Sequence, residues 1–236
     1  MKTLIFIFIL MASSLFATEG VFYVNKSIIS HQIAQSGMTI TNKLIAGSTS
    51  IIESTTLTEL LPLEKTTVYL SGGFIIEADN NSVFSINAFD QEVKNLTNSP
   101  SLAIFGPHNI NIMLSKGNFI ISYKSKNEDS ICTISTPLAM YQLNEGEFLF
   151  QISNEKSLVY VLDGMMIVHG DKNRADSAKK GSKSITGQID TDVATTTRPI
   201  NVEENNSIIA ATENKTLEDI RFIIIDGKVR GVKMSP

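Results

Sequence analysis

Residues 146–170, GEFLFQISNEKSLVYVLDGMMIVHG, form the most regular stretch of this 236-residue chain. Apolar and polar side chains alternate along it, and glycines stand at both of its ends and in the pair Asp163-Gly164. An alternation with a period of two is typical of β-strands, because successive side chains of a strand point to opposite faces. The stretch therefore predicts strands that begin or turn at glycines.

Both faces of the middle of this stretch are apolar. One face would carry Leu158, Tyr160 and Leu162, and the other would carry Val159 and Val161. A sheet with one face in water needs apolar side chains on its other face only. The segment therefore predicts a strand that is covered on both sides, as in a roll or a sandwich.

Short segments of similar character occur from residue 21 onwards. They are rich in Ile, Val, Phe, Thr and Tyr and are separated by clusters of Gly, Asn, Asp, Pro or Ser. The predicted strands cover residues 21–24, 50–54, 67–70, 74–78, 82–87, 110–114, 118–123, 130–136, 139–143, 147–152, 158–162 and 165–169. Many short strands with frequent turn signals predict an all-β fold of antiparallel strands in a sandwich or roll.

Helical patterns are rare in this sequence. In TLTELLPLEK, residues 56–65, the leucines have helical spacing, but Pro62 interrupts it. Residues 27–37 fit a turn or two of helix and a strand equally well. Residues 88–103 could hold one short helix before Pro100.

The first residues have the layout of a secretory signal peptide. Lys2 is followed by the apolar run 4–11 and by small residues up to Ala17. A membrane-spanning helix needs about 20 apolar residues, and this run is shorter. An uncleaved N-terminal anchor is the alternative interpretation. We expect cleavage after Ala17, export to the periplasm or the extracellular space, and no retained transmembrane helix.

The charge and the cysteine count exclude several classes of protein. The formal net charge is −4, so we expect no nucleic-acid partner, because such surfaces need clustered Lys and Arg. Cys132 is the single cysteine, so no disulfide can form within the chain. Its Ile and Thr neighbours favour a small buried side chain in a strand over a reactive thiol.

The composition changes after residue 170. Residues 171–207 are polar and rich in threonine and lysine, which predicts a long exposed linker or a disordered arm. Lys179, Lys180 and Lys183 form a basic cluster within it. We interpret these lysines as solvated linker charge and not as a ligand site, because no aromatic residue accompanies them.

Residues 208–236 regain an apolar pattern that predicts a β-hairpin. Segments 222–225 and 228–233 flank Asp226-Gly227, a pair that suits a two-residue type I′ turn because both turn positions need a positive φ. Two strands alone are marginal in water, so we expect the hairpin to dock on the main sheet or on a partner. The sequence thus predicts four parts: a signal peptide at 1–17, a β domain at 18–170, a linker at 171–207 and a C-terminal segment at 208–236.

No pattern of residues indicates catalysis. His31, His108 and His169 are far apart in the sequence, and none belongs to a paired-histidine metal motif. Nucleophile elbows and phosphate-binding loops are missing from the sequence, and the carboxylate pairs at 128–129 and 203–204 fit solvated turns. We therefore assign no catalytic, cofactor-binding or metal-ligating residue, and we expect a protein that is not an enzyme and needs no cofactor.

Residues 114–170 resemble the core of a FecR-type domain, the periplasmic domain of ferric-citrate regulators. The shared features are a glycine that opens a strand, a Thr-Pro pair at a strand end, a glycine before an aromatic strand, and a closing valine-rich strand with an internal glycine. In this chain they are Gly117, Thr136-Pro137, Gly146 with Phe148 and Phe150, and Val159, Val161, Gly164 and Ile167. Residues 65–89 resemble the earlier half of the domain, so the resemblance covers residues 37–170.

The resemblance implies an all-β domain that binds another protein. Members of the family relay a signal from an outer-membrane receptor through a membrane helix to an anti-sigma segment. We expect neither a cytoplasmic N-terminal region nor a retained membrane helix here. The family properties that we expect of this chain are therefore the domain and a protein partner in the cell envelope, in a role related to signalling. The alternatives are a carbohydrate- or envelope-associated structural module and, third, an exported hydrolase whose site joins His108 or His169 to acidic residues.

Overall fold

The computed structural model describes residues 20–52, 56–94, 101–125, 128–169, 175–189, 192–213, 217–226 and 228–234. The predicted signal peptide at residues 1–17 lies outside these ranges, and so does Gly170. Within them the chain is all-β with one short helix, which confirms the predicted fold class. No helix in these ranges is long and apolar enough to cross a bilayer.

The described part of the chain contains a large sheet, a small three-stranded sheet and helix α1. The elements in chain order are β1 Gly20–Val24, β2 Ile28–Ala34, β3 Thr39–Leu44, β4 Thr49–Ile52, β5 Thr56–Pro62, β6 Thr66–Leu70, β7 Phe74–Ala78, β8 Val83–Lys94, β9 Ser101–Leu102, β10 Ile104–Tyr123, β11 Ile131–Ser135, β12 Met140–Ile152, β13 Lys156–His169, β14 Ala175–Lys179, β15 Ser182–Ile189, β16 Asp192–Pro199, α1 Val202–Thr212, β17 Ile220–Ile225 and β18 Lys228–Lys233.

The large sheet folds over into two layers that share three long strands, β10, β12 and β13. The first layer has the strand order β3-β2-β5-β8-β10-β11-β12-β13-β14, and the second has the order β4-β1-β6-β7-β10-β12-β13-β15-β16. One part of each shared strand pairs in the first layer and the other part pairs in the second. Neighbours are antiparallel except β10 and β11, which are parallel and so depart from the prediction.

Glycines mark the positions at which the shared strands cross between the layers. In β10, pairing with β8 gives way to pairing with β7 and β12 at Gly117. Gly146 of β12 and Gly164 of β13 face each other, and neither position has room for a side chain. Gly164 has a φ of 78°, in the left-handed region that favours glycine. Each strand pair predicted within β10, β12 and β13 is therefore a single bent strand.

One apolar core fills the space between the layers. Phe84 of the first layer packs edge to face on Phe119 of the second, with the ring centroids 5.8 Å apart. Tyr141 and Phe150, from the two parts of β12, make the same kind of contact at 5.5 Å. Each of these pairs holds the layers together, because its two rings belong to different layers.

The outer face of the second layer is covered by α1. Ile120, Leu149 and Tyr160 point away from the core between the layers and pack with Ile208 of the helix. This confirms that the middle of residues 146–170 is apolar on both faces because both faces are covered.

The prediction of a linker at residues 171–207 is wrong. Its described residues form β14, β15, β16 and the first part of α1. β15 pairs with β13 and β16 pairs with β15, so both strands extend the second layer, while β14 extends the first. Strands near a sheet edge need only one buried face, and threonine is a good strand former. A polar composition was therefore not sufficient evidence for a linker, and three strands were missed.

The segments with helical or ambiguous patterns are strands as well. Residues 27–37 contain β2, and residues 88–94 continue β8, while residues 95–100 lie outside the described ranges. In β5, Thr58 and Leu60 are buried and the intervening Glu59 is not, which is the period of a strand. Pairing of β5 with β2 on one side and β8 on the other outweighs the local leucine spacing.

The C-terminal hairpin is confirmed and docks on the main fold. β17 pairs with β18, and Asp226 at the turn has a φ of 50°. β17 also pairs with β9, which completes the small sheet. The N–H of Gly231 donates to Thr49 Oγ1 at 3.0 Å, and the N–H of Glu218 donates to the Tyr69 hydroxyl at 2.8 Å. These bonds fix the hairpin against the outer face of the second layer.

Candidate functional site

The first layer ends in an open edge at β3. Among the described elements, β3 pairs with β2 only, and its residues 39–43 are exposed. The N–H of Ala34 donates to the Met38 carbonyl at 2.9 Å, so these two residues form a hydrogen-bonded pair. Because such pairs alternate along an antiparallel ladder, the backbone N–H and C=O groups of Thr39, Thr41 and Lys43 point outward. A strand of another protein could therefore form backbone hydrogen bonds with these three residues.

An exposed apolar side chain lies on this edge. Ile40 stands opposite Gln32 and so shares a face of the sheet with the buried Ile28, which packs in the core. Its side chain belongs to the core-facing side, yet it is 51% exposed. Met38 and Ile45, at the two ends of β3, are also exposed. We call β3 together with these three side chains the β3 edge.

On the opposite side of the sandwich, the end strand of the second layer carries a proline. The second layer ends there in β16, whose exposed side chains include Thr196, Arg198 and Pro199. The Ile200 N–H donates to the Gly181 carbonyl, so by the same alternation Pro199 and Thr197 point their backbone outward. A proline at an outward position is a usual way to block an edge strand. The β3 edge, residues 38–45, contains no proline.

A second feature is a crevice of about 350 Å³ between the small sheet and the β6–β7 turn. Phe105 and Phe222 meet edge to face in its wall, with the centroids 5.9 Å apart. The remaining lining residues are mostly apolar, and Lys124 is the charged one among them: Tyr69, Leu70, Gly72, Gly73, Phe74, Ile75, Leu102, Ala103, Ile104, Lys124 and Ile220.

A buried polar cluster lies behind this crevice. His108 Nε2 contacts the Tyr123 hydroxyl at 3.1 Å, and its Nδ1 contacts Ser130 Oγ at 3.3 Å. Burial lowers the pKa of His108 and raises the pKa of Tyr123 to about 12, so both are neutral near pH 7. The amide of Gln91 is 1% exposed, and neither its donor nor its acceptor has a partner among the described residues. A Cβ atom at Gly72, which lines the crevice, would lie 2.7 Å from the Gln91 amide nitrogen.

The three histidines do not converge. They lie in β2, β10 and β13 of the first layer. β10 is three strands away from β2 and three strands away from β13, which is about 14 Å in each case at the usual distance between neighbouring strands. His31 Nδ1 contacts Thr41 Oγ1 at 2.9 Å at the surface. In the described part of the chain, no three His, Cys, Asp or Glu side chains lie close enough to hold a metal ion. His108 contacts hydroxyl groups instead of the acidic residues that a hydrolase would place there.

Cys132 lies in the core, as the sequence predicts. The burial pattern of β11 alternates, so Cys132 and Ile134 face inward while Thr133 faces outward. Burial raises the pKa of its thiol well above the usual value. This is the environment of a structural cysteine.

The basic cluster splits into two kinds of residue. Lys179 and Lys180 are exposed, as predicted, and Lys180 pairs with Asp163 at 3.0 Å. Lys183 is only 2% exposed and forms an ion pair with Glu204 of α1. Burial, with the charges of Arg198 and Lys156, lowers the pKa of Lys183. The Glu204 carboxylate is the opposite charge with which Lys183 pairs. The prediction of solvated charge is wrong for Lys183.

Glu204 has a second role at the start of α1. Its N–H donates to Asn201 Oδ1 at 2.9 Å, and its Oε2 accepts from the Asn201 N–H at 3.1 Å. This reciprocal pair is a capping box, and an Asn followed three residues later by Glu is its signal in a sequence. The signal was present at 201–204, but those residues fell within the predicted linker. The Glu204 carboxylate therefore caps the start of α1 and also pairs with Lys183 of β15.

Comparison with known proteins yields only distant structural likenesses. No family model matches the chain, and no curated protein matches it. It is similar to two crystal structures of a "putative anti-sigma factor" from Parabacteroides distasonis ATCC 8503. One is 14% identical, with a TM-score of 0.45, and the match covers 76% of this chain and 100% of that chain. The other is 11% identical, with a TM-score of 0.41, and covers 75% and 99%.

Proposed function

We propose that this chain is an exported protein of the FecR type that acts in the cell envelope by binding another protein, and not by catalysis. The residues that carry the family resemblance support this proposal. Gly117, Gly146 and Gly164 all stand where a long strand crosses between the layers. Their positions are therefore tied to the architecture of the domain.

The β3 edge is the observation that carries the binding role. An edge strand with outward N–H and C=O groups is a template for an extended segment of a partner, which adds itself as one more strand. Backbone hydrogen bonds would form at Thr39, Thr41 and Lys43. Ile40 would gain a neighbour on the core-facing side, where half of its surface is exposed. The partner segment should therefore be extended and carry an apolar side chain on one face.

A proline at the centre of β3 tests this binding role. Thr41→Pro removes one outward N–H and leaves the hydrogen-bonded pairs with β2 intact, so we expect the fold to be kept. Partner recovery should fall at least about tenfold, because a backbone hydrogen bond is lost and the proline ring obstructs the approach of a partner strand. The measurement is co-purification from the native envelope with a tagged protein, beside a thermal melt of each variant.

The matched control for this test is Thr197→Pro, which places a proline at an outward position of β16, two residues from the natural Pro199. We expect this variant to keep the partner. Equal loss of the partner in both variants, or full retention in Thr41→Pro, would contradict binding at the β3 edge.

Export is tested by the mass of the protein isolated from its own cells. We expect a mature chain that starts at Thr18, because the apolar run and the small residues before it fit a cleaved signal peptide. Ile7→Arg interrupts the apolar run and should leave the full-length chain inside the cell. Recovery of the uncleaved wild-type chain would argue against the proposed compartment.

The crevice does not favour the carbohydrate-binding alternative. Sugar sites combine aromatic faces with side-chain amides and carboxylates that fix the hydroxyl groups. The described lining of the crevice supplies Tyr69, Phe105 and Phe222 but neither Asn nor Gln. Protein binding is therefore the role that we carry forward.

A further inference from the structure

The crevice has the size and the wall of a small-molecule site. Its volume of about 350 Å³ lies within the range of about 300–1,000 Å³ that is usual for ligand pockets. Two different sheets form its sides, since Phe222 belongs to the small sheet while Tyr69 and Phe74 belong to the second layer. The hydrogen bond from the Glu218 N–H to the Tyr69 hydroxyl links the two sides. The chain's own contacts therefore position the walls of the crevice.

Two consecutive glycines shape the floor of the crevice. Gly72 and Gly73 have φ values of 91° and 87°, in the left-handed region that favours glycine. A side chain at Gly73 would overlap the backbone carbonyl of Lys124, and one at Gly72 would meet the amide of Gln91. Neither position can take a side chain without a shift of its neighbours, so the chain contributes only backbone atoms to the crevice at these two positions.

The exposed apolar surface at the crevice points to an apolar ligand. Leu102 is 60% exposed and Ile104 is 46% exposed, although both line the cavity. Leaving such side chains in water costs free energy that an apolar ligand would recover by covering them. The wall that they form with Phe105 is apolar and offers few polar atoms to hold a sugar or a nucleotide.

The charge at the crevice points to an anion. Lys124 is exposed, and it is the charged residue among the described lining residues. Its long side chain can bring an ammonium group to the apolar cavity, and this combination selects a ligand that joins an apolar body to one negative group. We propose that the crevice binds a small amphipathic carboxylate, with its alkyl or aryl part between Leu102, Phe105 and Phe222 and its carboxylate at Lys124. This site lies apart from the β3 edge and does not rest on the proposed partner.

Octanoate is a probe with this chemistry, and 1-octanol is its neutral counterpart. The full-length mature protein is titrated with each compound, and affinity is followed by nuclear magnetic resonance at the methyl groups of Leu102 and Ile104. We expect octanoate to bind more tightly than 1-octanol. Lys124→Gln should weaken octanoate about three- to fivefold, as expected for one exposed charge pair, and should leave 1-octanol unchanged. Leu102→Gln should weaken both compounds about tenfold, through lost apolar contact.

Lys179→Gln is the matched control, because Lys179 is an exposed lysine on β14 outside the crevice lining. It should leave both affinities unchanged. The substituted side chains are exposed, so the variants should keep the thermal midpoint of the wild type. Absence of octanoate-dependent shifts at Leu102 and Ile104 would overturn the site. Equal weakening by Lys179→Gln and Lys124→Gln would overturn the role of Lys124.

Discussion

Replacing Gly164 by alanine should lower the free energy of unfolding by more than about 4 kcal/mol, a loss that is exceptional for a single substitution. The new methyl group would overlap the Glu145 carbonyl oxygen and lie 2.8 Å from the Gly146 Cα atom. Both neighbours are backbone atoms of β12, so no side-chain rotation relieves the contact. The φ of 78° adds the strain of an L-residue in the left-handed region. We expect the contact between β12 and β13 at the bend to be lost. Urea denaturation measures the resulting decrease in the free energy of unfolding.

Gly181→Ala isolates the backbone part of this effect. Gly181 has the same φ of 78°, but nothing lies within 4 Å of the position that its Cβ would take. Its replacement should cost only the left-handed conformation, about 1–2 kcal/mol. The difference between the two variants is then the cost of the close contact with β12. Equal losses at Gly164 and Gly181 would show that strand crossing does not require the close approach.

Replacing Glu204 by glutamine should destabilise the docking of α1 by about 3 kcal/mol, the lower end of the range for breaking a buried ion pair. The lower end applies because the Glu204 side chain is 22% exposed, whereas Lys183 is 2% exposed. Glutamine can still complete the capping box with Asn201, so the helix start is kept and the loss reports the pair. Hydrogen exchange at the amides of α1 and urea denaturation measure the effect.

Two further variants separate the ion pair from other effects. Glu203→Gln removes a neighbouring exposed carboxylate from the same first turn and should cost about 0.5 kcal/mol through the helix dipole. Lys183→Met combined with Glu204→Gln removes both buried charges and should recover most of the lost stability. A double variant as unstable as Glu204→Gln alone would mean that the buried charge is not the cause.

The parts of the fold that follow from local patterns were predicted well. The alternation at residues 158–162 indicated a strand with two apolar faces, and Val159 and Tyr160 indeed pack in different clusters. Asp226 marked the hairpin turn, and the flanking pattern of Cys132 indicated its burial. Each of these features depends on residues that are near neighbours in the chain.

The candidate site was less accessible to prediction. The exposure of Ile40 depends on which strand ends the first layer, and the crevice is formed by segments more than a hundred residues apart, such as those of Tyr69 and Phe222. Lys183 appears as one more lysine in a polar segment until β15 pairs with β13 and α1 closes over it. No spacing rule carries such information.

The sequence by itself determined the strand character of residues 146–169, the glycines at which strands begin or turn, and the hairpin. The period of two and the need for a positive φ are local properties that act within a few residues. Only the tertiary structure decided that β10, β12 and β13 cross between two layers, that residues 175–179, 182–189 and 192–199 are strands, and that Lys183 is buried. These outcomes depend on pairing between distant segments. The free energy gained by completing a sheet outweighs the weak local preference of a polar, threonine-rich segment.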